Sequence, residues 1–315
     1  MTSFYQRLDH GITVVDTGFV RPRFDASYLL VENGRAAFIE TGPNSGVPRL
    51  LAALEAQGLE RDAVDYVIPT HIHLDHAGGV GLLMSKLPRA KLIIHPRGAR
   101  HMIDPTALVE GARAVYGREV ADRDYGELVS VPAGRIVTTE EGMVIELGGR
   151  PLRFADTPGH ARHHNCIWDE ASRGWFTGDT FGIAYPDLYT SNGPYMLPAT
   201  APVQFDQPAL HETVARLLAQ RPDVMYLTHY GAVRDAEKLA VQFLAQVDAM
   251  AAAARSLAKA PSRHEALKLA FRDIYVAELR RSGSTLTEEH LHELLAPDVQ
   301  LNALGLGTWL DKNSV

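Results

Sequence analysis

One cysteine in 315 residues, Cys166, leaves this chain no intramolecular disulfide to rely on. Runs of Lys or Arg are also missing: 31 basic residues are spread against 38 acidic ones, for a formal net charge of −7. That balance argues against nucleic acid as a partner. The opening residues, Met1-Thr2-Ser3-Phe4-Tyr5-Gln6-Arg7-Leu8, lack the apolar core of an export signal, and no later stretch could span a bilayer. No membrane partner is therefore expected, and the expected location is cytoplasmic. Internal repeats and low-complexity segments are absent too, so the length suits one large domain with an appendage.

What the chain does have is Thr70-His71-Ile72-His73-Leu74-Asp75-His76-Ala77-Gly78-Gly79, which puts His71, His73, Asp75 and His76 within six positions. The apolar, β-branched segment before it, Val64 to Pro69, predicts a buried strand, and Gly79 to Leu87 predicts a helix. The histidines then lie in the turn from strand to helix. On an extended backbone alternate residues face one way, so His71 and His73 point together. Asp75 and His76 follow as the chain bends, and Gly78 and Gly79 permit the tight turn.

Three later segments repeat the pattern of a short apolar strand ending in a ligand-type residue beside Gly or Pro. His160 follows Leu152 to Ala155 in Thr157-Pro158-Gly159-His160. Asp179 follows Gly174-Trp175-Phe176 in Thr177-Gly178-Asp179. His229 follows Asp223 to Tyr226 in Leu227-Thr228-His229-Tyr230-Gly231. Four strand ends delivering His and Asp to one place would build a metal site on the rim of a sheet.

This set, in this order, resembles the metallo-β-lactamase-fold hydrolases, most closely the glyoxalase II and lactonase branch, over roughly the first three quarters of the chain. The resemblance implies an α+β fold, an αββα sandwich with two metal ions at its edge. It assigns His71, His73 and His160 to the first ion, Asp75, His76 and His229 to the second, and Asp179 to both. One position departs from the pattern: the family's early strand usually ends in Asp-Thr-Gly, and here the residues are Glu40-Thr41-Gly42. That carboxylate stands behind the metal-binding histidines and fixes their tautomers, a task Glu40 can perform with one more methylene. Asp16-Thr17-Gly18 has the letters but comes one strand early and is read as a turn.

Elsewhere, Ile12 to Val15, Ser27 to Val31 and Ala36 to Ile39 predict a strand meander with Asn33-Gly34 as a hairpin turn. Helices are expected over Val47 to Gln57 and Pro208 to Ala219, and further strands at Lys91 to His95, Arg135 to Val137 and Met143 to Leu147. Residues 97–125 form a helical insertion broken at Asp104-Pro105, which is expected to shape the substrate pocket. The metallo-β-lactamase-fold domain is thus placed at 1–232 and a helical C-terminal subdomain at 233–315. In that tail Leu239, Phe243, Val247, Met250 and Leu257 recur at helical spacing, Ser262-Arg263-His264-Glu265 looks like a capping box, and Thr287-Glu288-Glu289 opens another helix. Its apolar face suits packing on the sandwich or on a second copy, so a homodimer is an expected assembly.

Imidazole and carboxylate without thiolate suit two divalent ions, with zinc expected and manganese or iron compatible. The implied activity is hydrolysis of a small-molecule ester, thioester or lactone, a metal-bridging hydroxide attacking the carbonyl while Asp75 relays the proton. Tyr185, just beyond Asp179, is the first candidate for a phenolic oxyanion donor and Tyr230 the second. His163 and His164 are read as structural, as are His95, His101, Tyr195, Met196 and the small hydrophobe Cys166. No convincing basic cluster for glutathione carboxylates is visible; Arg97, Arg100 and Arg113 could supply one, but arginines in a helical surface insertion are usually solvated. The alternative is a mononuclear-iron, persulfide dioxygenase-like oxidoreductase on the same fold. A diiron flavoprotein would normally carry Glu at His73, and a metal-free scaffold would have lost ligands.

Overall fold

The computed structural model describes residues 4–200 and 203–313. Its first strands, β1 (Tyr5–Arg7), β2 (Ile12–Asp16), β3 (Ala26–Glu32) and β4 (Arg35–Ile39), pair antiparallel in succession. Asn33 and Gly34 close the β3–β4 hairpin at φ 46° and 75°, the left-handed pair that a two-residue turn needs. The Asp16-Thr17-Gly18 segment is the expected turn, with the Gly18 amide donating to Asp16 Oδ1 at 2.9 Å. Helix α1 (Val47–Ala56) leads to β5 (Val64–Ile68), which runs parallel to β4. The single turn α2 (Leu74–Ala77) and α3 (Val80–Lys86) precede β6 (Lys91–Ile94). The expected insertion then folds as α4 (Pro96–Ile103), α5 (Thr106–Tyr116) and α6 (Arg118–Tyr125) before β7 (Ile136–Thr138) completes a seven-stranded sheet in chain order.

A second, six-stranded sheet follows: β8 (Val144–Leu147), β9 (Arg150–Asp156), β10 (Asn165–Asp169), β11 (Gly174–Gly178), then α7 (Gln207–Ala219), β12 (Val224–Leu227) and β13 (Gly231–Val233). β11 and β12 are parallel, a pairing that no tight turn can make, and the chain between them includes α7.

The period-two pattern of the strands builds two cores. Val15, Leu29, Phe38, Val67 and Leu92 face one side of the first sheet, where Leu50 and Leu54 of α1 and Leu83 of α3 cover them. Their alternates Val14, Tyr28, Ile39, Ile68 and Ile93 face the other side and meet Leu152, Phe154, Ile167, Phe176 and Tyr226 of the second sheet. Burying each such side chain contributes about 1.5–3 kcal/mol.

The chain partitions into two compact units: Met1–Asp156 with His163–Gly178 and Asp223–Ala232, and Thr157–Arg162 with Asp179–Pro222 and Val233–Val315. The first unit ends at Ala232, and residues 157–162 and 179–222 belong to the second. The second unit also carries α8 (Ala236–Ser256), α9 (Arg263–Arg281) and α10 (Glu288–Asn313). Among the described residues no helix is long and apolar enough to cross a membrane. Leu291, Leu295, Val299, Leu306 and Leu310 give α10 a buried stripe that also includes Asp298 and Asn302. Thr287 caps this helix through the His290 amide at 3.3 Å. The capping box expected at Ser262 does not form: α9 starts there, but Ser262 is left-handed (φ 52°) and its side chain makes no cap bond.

Candidate metal centre

In the first unit the chain leaves β5 at Ile68 and turns through Pro69 and Thr70, which brings His71 Nε2 within 2.9 Å of His73 Nδ1. His73 ends the extended stretch and α2 begins beside it, so Asp75 and His76 follow on helical geometry. The rings of His71 and His76 lie 4.0 Å apart, and His164 stacks on His71 at 4.9 Å. His229, two residues past the end of β12, meets the His76 ring at 5.2 Å. His71, His76 and His229 are almost fully buried, a costly setting for so many imidazoles unless their nitrogens have partners.

Their Nδ1 atoms do have partners. His76 Nδ1 lies 3.1 Å from Glu40 Oε1, and His229 Nδ1 lies 2.8 Å from the Phe24 carbonyl oxygen. His71 Nδ1 lies 3.0 Å from Thr70 Oγ1, whose one proton goes to Glu40. Each acceptor places the proton on Nδ1, which leaves the Nε2 lone pair of that ring directed away from its anchor. Glu40 is fully buried, with a left-handed backbone at φ 65°. It also accepts from the Thr70 amide at 3.2 Å and Thr228 Oγ1 at 3.1 Å. One carboxylate thus ties together the chain just beyond β4, β5 and β12, and non-glycine residues hold such a backbone only where the surroundings fix it.

Ligand atoms of Asp75, His76 and His229 all lie within 4.8 Å of one another, as do those of Glu40, His71 and His76. Asp75 Oδ2 is 3.4 Å from His229 Nε2 and 3.7 Å from His76 Nε2, and its side chain is 23% exposed. The Glu40 oxygens already accept from Thr70, His76 and Thr228, which makes Glu40 a support for the ligands. Imidazole nitrogens with fixed tautomers, converging beside a carboxylate, suit a divalent ion.

The second unit holds the other two expected ligands. His160 Nε2 and Asp179 Oδ2 are 3.6 Å apart. His160 Nδ1 lies 2.8 Å from the Ala199 carbonyl, the same anchoring again. The turn before His160 is pinned by Thr213 Oγ1 donating to Pro158 O at 2.7 Å. Gly159 is needed there, because at φ 133° any Cβ would lie 2.5 Å from Leu210 Cα.

The remaining candidates are placed as follows. Tyr185 is 1% exposed, with Oη 3.4 Å from Asp298 Oδ1 in its own unit. Tyr230 packs partly buried against the inter-sheet core. His95 accepts from the Arg97 amide at the start of α4. Tyr195 donates to Gln246 at 2.6 Å, and Cys166 and Met196 are buried. Arg113 is paired with Glu110 and Asp122, which leaves little of it for a substrate carboxylate. Sequence reasoning missed Thr70 and Thr228 as partners of Glu40; the signal was the Thr-His pair repeated at two strand ends. It also missed Asp25, which is fully buried, with Oδ2 accepting from Thr17 Oγ1 at 2.7 Å and Oδ1 without a hydrogen-bond partner among the described residues. Burial pushes its carboxyl up to about 7, against the pull of His229 and His76. No pattern in its neighbours announces it.

A family profile described as the metallo-beta-lactamase superfamily matches residues 20–229. A metallo-beta-lactamase fold-containing protein of Sulfurisphaera tokodaii is 28% identical over 180 residues, 55% of this chain and 62% of that protein. The crystal structure of an archaeal superfamily protein from Sulfolobus tokodaii superposes with a TM-score of 0.66 at 21% identity, covering 95% of this chain and 99% of that one. Thioesterase pkgB of Emericella nidulans is 27% identical over 207 residues, 62% of this chain and 50% of that protein. Type A flavoprotein fprA of Rhodobacter capsulatus is 30% identical over 162 residues, 51% of this chain and 32% of that protein. The chain therefore spans less than two thirds of each of these curated relatives.

Proposed function

Because this chain belongs to the metallo-β-lactamase superfamily and has its two-sheet α+β fold, we propose that it is a metal-dependent hydrolase of a small ester, thioester or lactone. The observation that carries the reading is the donor set: His71, His76 and His229, each held by Nδ1, stand with His73 and Asp75 in one place. In this reading His160 and Asp179 would also serve as metal ligands, in keeping with a binuclear set. Bound divalent ions would supply hydroxide near neutral pH and polarise the substrate carbonyl.

The chain's own residues do the rest. Glu40 and the Phe24 carbonyl hold the imidazoles in the ligating tautomer, so no reorganisation is needed during turnover. Asp75, partly exposed between His76 and His229, takes the proton released on attack and passes it to the leaving group. Support for acyl chemistry comes from the mostly hydrolytic character of the superfamily and from relatives named as thioesterases. The second reading is a mononuclear-iron, persulfide dioxygenase-like oxidoreductase on the same fold.

The test is metal content per chain by mass spectrometry, followed by ester, thioester and lactone panels. About two equivalents of zinc, manganese or iron are expected, with metal and turnover lost together in His71→Ala and in Asp179→Ala. Full turnover in either variant would overturn the reading. About one equivalent of iron, with oxygen consumed on persulfides, would replace it with the second.

A further inference from the structure

We propose that Asn302, on the C-terminal helix α10, is a positioning residue for His160: it clamps the chain on both sides of Ala199, whose carbonyl holds the His160 ring. The proposal rests on reading His160 as a metal ligand. His160 Nδ1 lies 2.8 Å from Ala199 O. A carbonyl only accepts, so Nδ1 carries the proton, and the direction of that carbonyl sets where Nε2 points.

Asn302 is 3% exposed and grips both neighbours of Ala199. Its Nδ2 donates to Pro198 O at 2.9 Å, and its Oδ1 accepts from the Thr200 amide and from Thr200 Oγ1, each at 2.7 Å. The second Nδ2 proton goes to Tyr275 Oη on α9 at 2.8 Å. Two donors and two lone pairs are thereby all used, so the amide has one orientation and cannot rotate without losing bonds. Backbone contact reinforces the grip, since a Cβ on Gly305 would lie 1.9 Å from Thr200 O. Upstream, Gln246 on α8 donates to Met196 O at 2.7 Å and Gln242 accepts from the Met196 amide at 3.1 Å. The strip from Met196 to Thr200 is thus held by side-chain amides of the helical tail. A tail with no ligand of its own enters the metal chemistry by fixing the carbonyl behind one ligand.

The test compares Asn302→Ala, Asn302→Asp, Tyr275→Phe and His160→Ala with the wild type. It reads zinc affinity by chelator competition and the His160 Nδ1–H resonance by NMR. Asn302→Ala is expected to weaken one zinc site about 10- to 100-fold and to lose the slowly exchanging Nδ1–H signal. Asn302→Asp keeps the acceptor for Thr200 and is expected to restore part of the affinity. Tyr275→Phe leaves the Pro198 and Thr200 bonds intact and is expected to bind zinc as the wild type does. A folded Asn302→Ala protein with zinc affinity within about twofold of wild type, a difference under ~0.5 kcal/mol, would overturn the proposal. So would Tyr275→Phe weakening zinc as much as Asn302→Ala, because general loosening of the tail would then explain both. If Asn302→Ala does not fold, Asn302→Asp decides: its lost Pro198 bond should weaken zinc measurably, and wild-type affinity would overturn the idea. Wild-type affinity in His160→Ala would instead remove His160 from the ligand set, and the underlying reading would fail first.

Discussion

Replacing Glu40 by Gln changes one charge and almost no volume, which isolates what the carboxylate does. Glu40 Oε1 accepts from Thr70 Oγ1, from His76 Nδ1 at 3.1 Å and from Thr228 Oγ1 at 3.1 Å, while Oε2 accepts from the Thr70 amide at 3.2 Å. In the Gln variant the three bonds at Oε1 pass from a charged to a neutral acceptor, at about 1 kcal/mol each. The new NH2 faces the Thr70 amide, and two donors at that distance leave a buried N–H unsatisfied, for about 1–3 kcal/mol more. Allowing for relaxation, Glu40→Gln should destabilise the metal-free protein by about 3–5 kcal/mol, or roughly 10 °C in Tm. His76 loses its charged anchor in the same change, so zinc should bind about 10- to 100-fold more weakly. Thermal unfolding monitored by circular dichroism gives the first quantity, and chelator competition gives the second. A Tm within about 2 °C of wild type together with unchanged zinc affinity would refute the idea that Glu40 organises the site.

Tyr185→Phe should lower kcat at unchanged metal content, as expected of a phenolic oxyanion donor; an unchanged kcat would leave the hydroxyl to its 3.4 Å contact with Asp298 alone. Gly178→Ala should destabilise by about 2 kcal/mol or more, because at φ 50° its Cβ would lie 2.4 Å from Thr70 Oγ1 and 2.5 Å from His164 Nε2; a Tm equal to wild type would contradict the packing described. Asp25 keeps its proton up to about pH 7 in the fold but loses it near 3.8 when unfolded, so the folded state binds more protons across that window. The metal-free protein should therefore lose stability as pH rises from about 4 to 7, and Asp25→Asn should flatten that slope, as urea unfolding at several pH values would reveal. Parallel pH profiles for the two proteins would remove Asp25 from that account.

How much of this was legible depended on whether a feature leaves its mark in side-chain type. The Asn33-Gly34 hairpin, the apolar strand before His71 and the helices opening at Val47 and Thr287 follow patterns that local sequence dictates. Glu40 could be read as the carboxylate behind the ligands, because its neighbours Thr41 and Gly42 keep the family spacing. Strand β1 was missed because Tyr5–Arg7 is mostly exposed and lacks alternation. The capping box at Ser262 had the right letters, but the backbone there is left-handed and its hydroxyl does not reach the helix amides. The anchors of His229 and His160 are backbone carbonyls of Phe24 and Ala199, and any residue could have supplied them. Asn302 lies 142 positions from His160 and acts through two intermediaries, a coupling that becomes visible only after the chain has folded.

The pinning of Nδ1 also bears on how the protein would meet acid. With Nδ1 of His71, His76 and His229 already carrying a proton held by Thr70, Glu40 and Phe24, the incoming proton has only Nε2 to land on. That is the atom left for an ion in the proposed site, where hydrogen ions and metal ions would compete for one lone pair on each ring. Each imidazole that released an ion would take up a proton, and occupancy would then fall more steeply than the first power of acidity. A centre built on these rings would therefore empty over a narrow band of pH and refill as abruptly, a threshold device where a looser site would leak gradually.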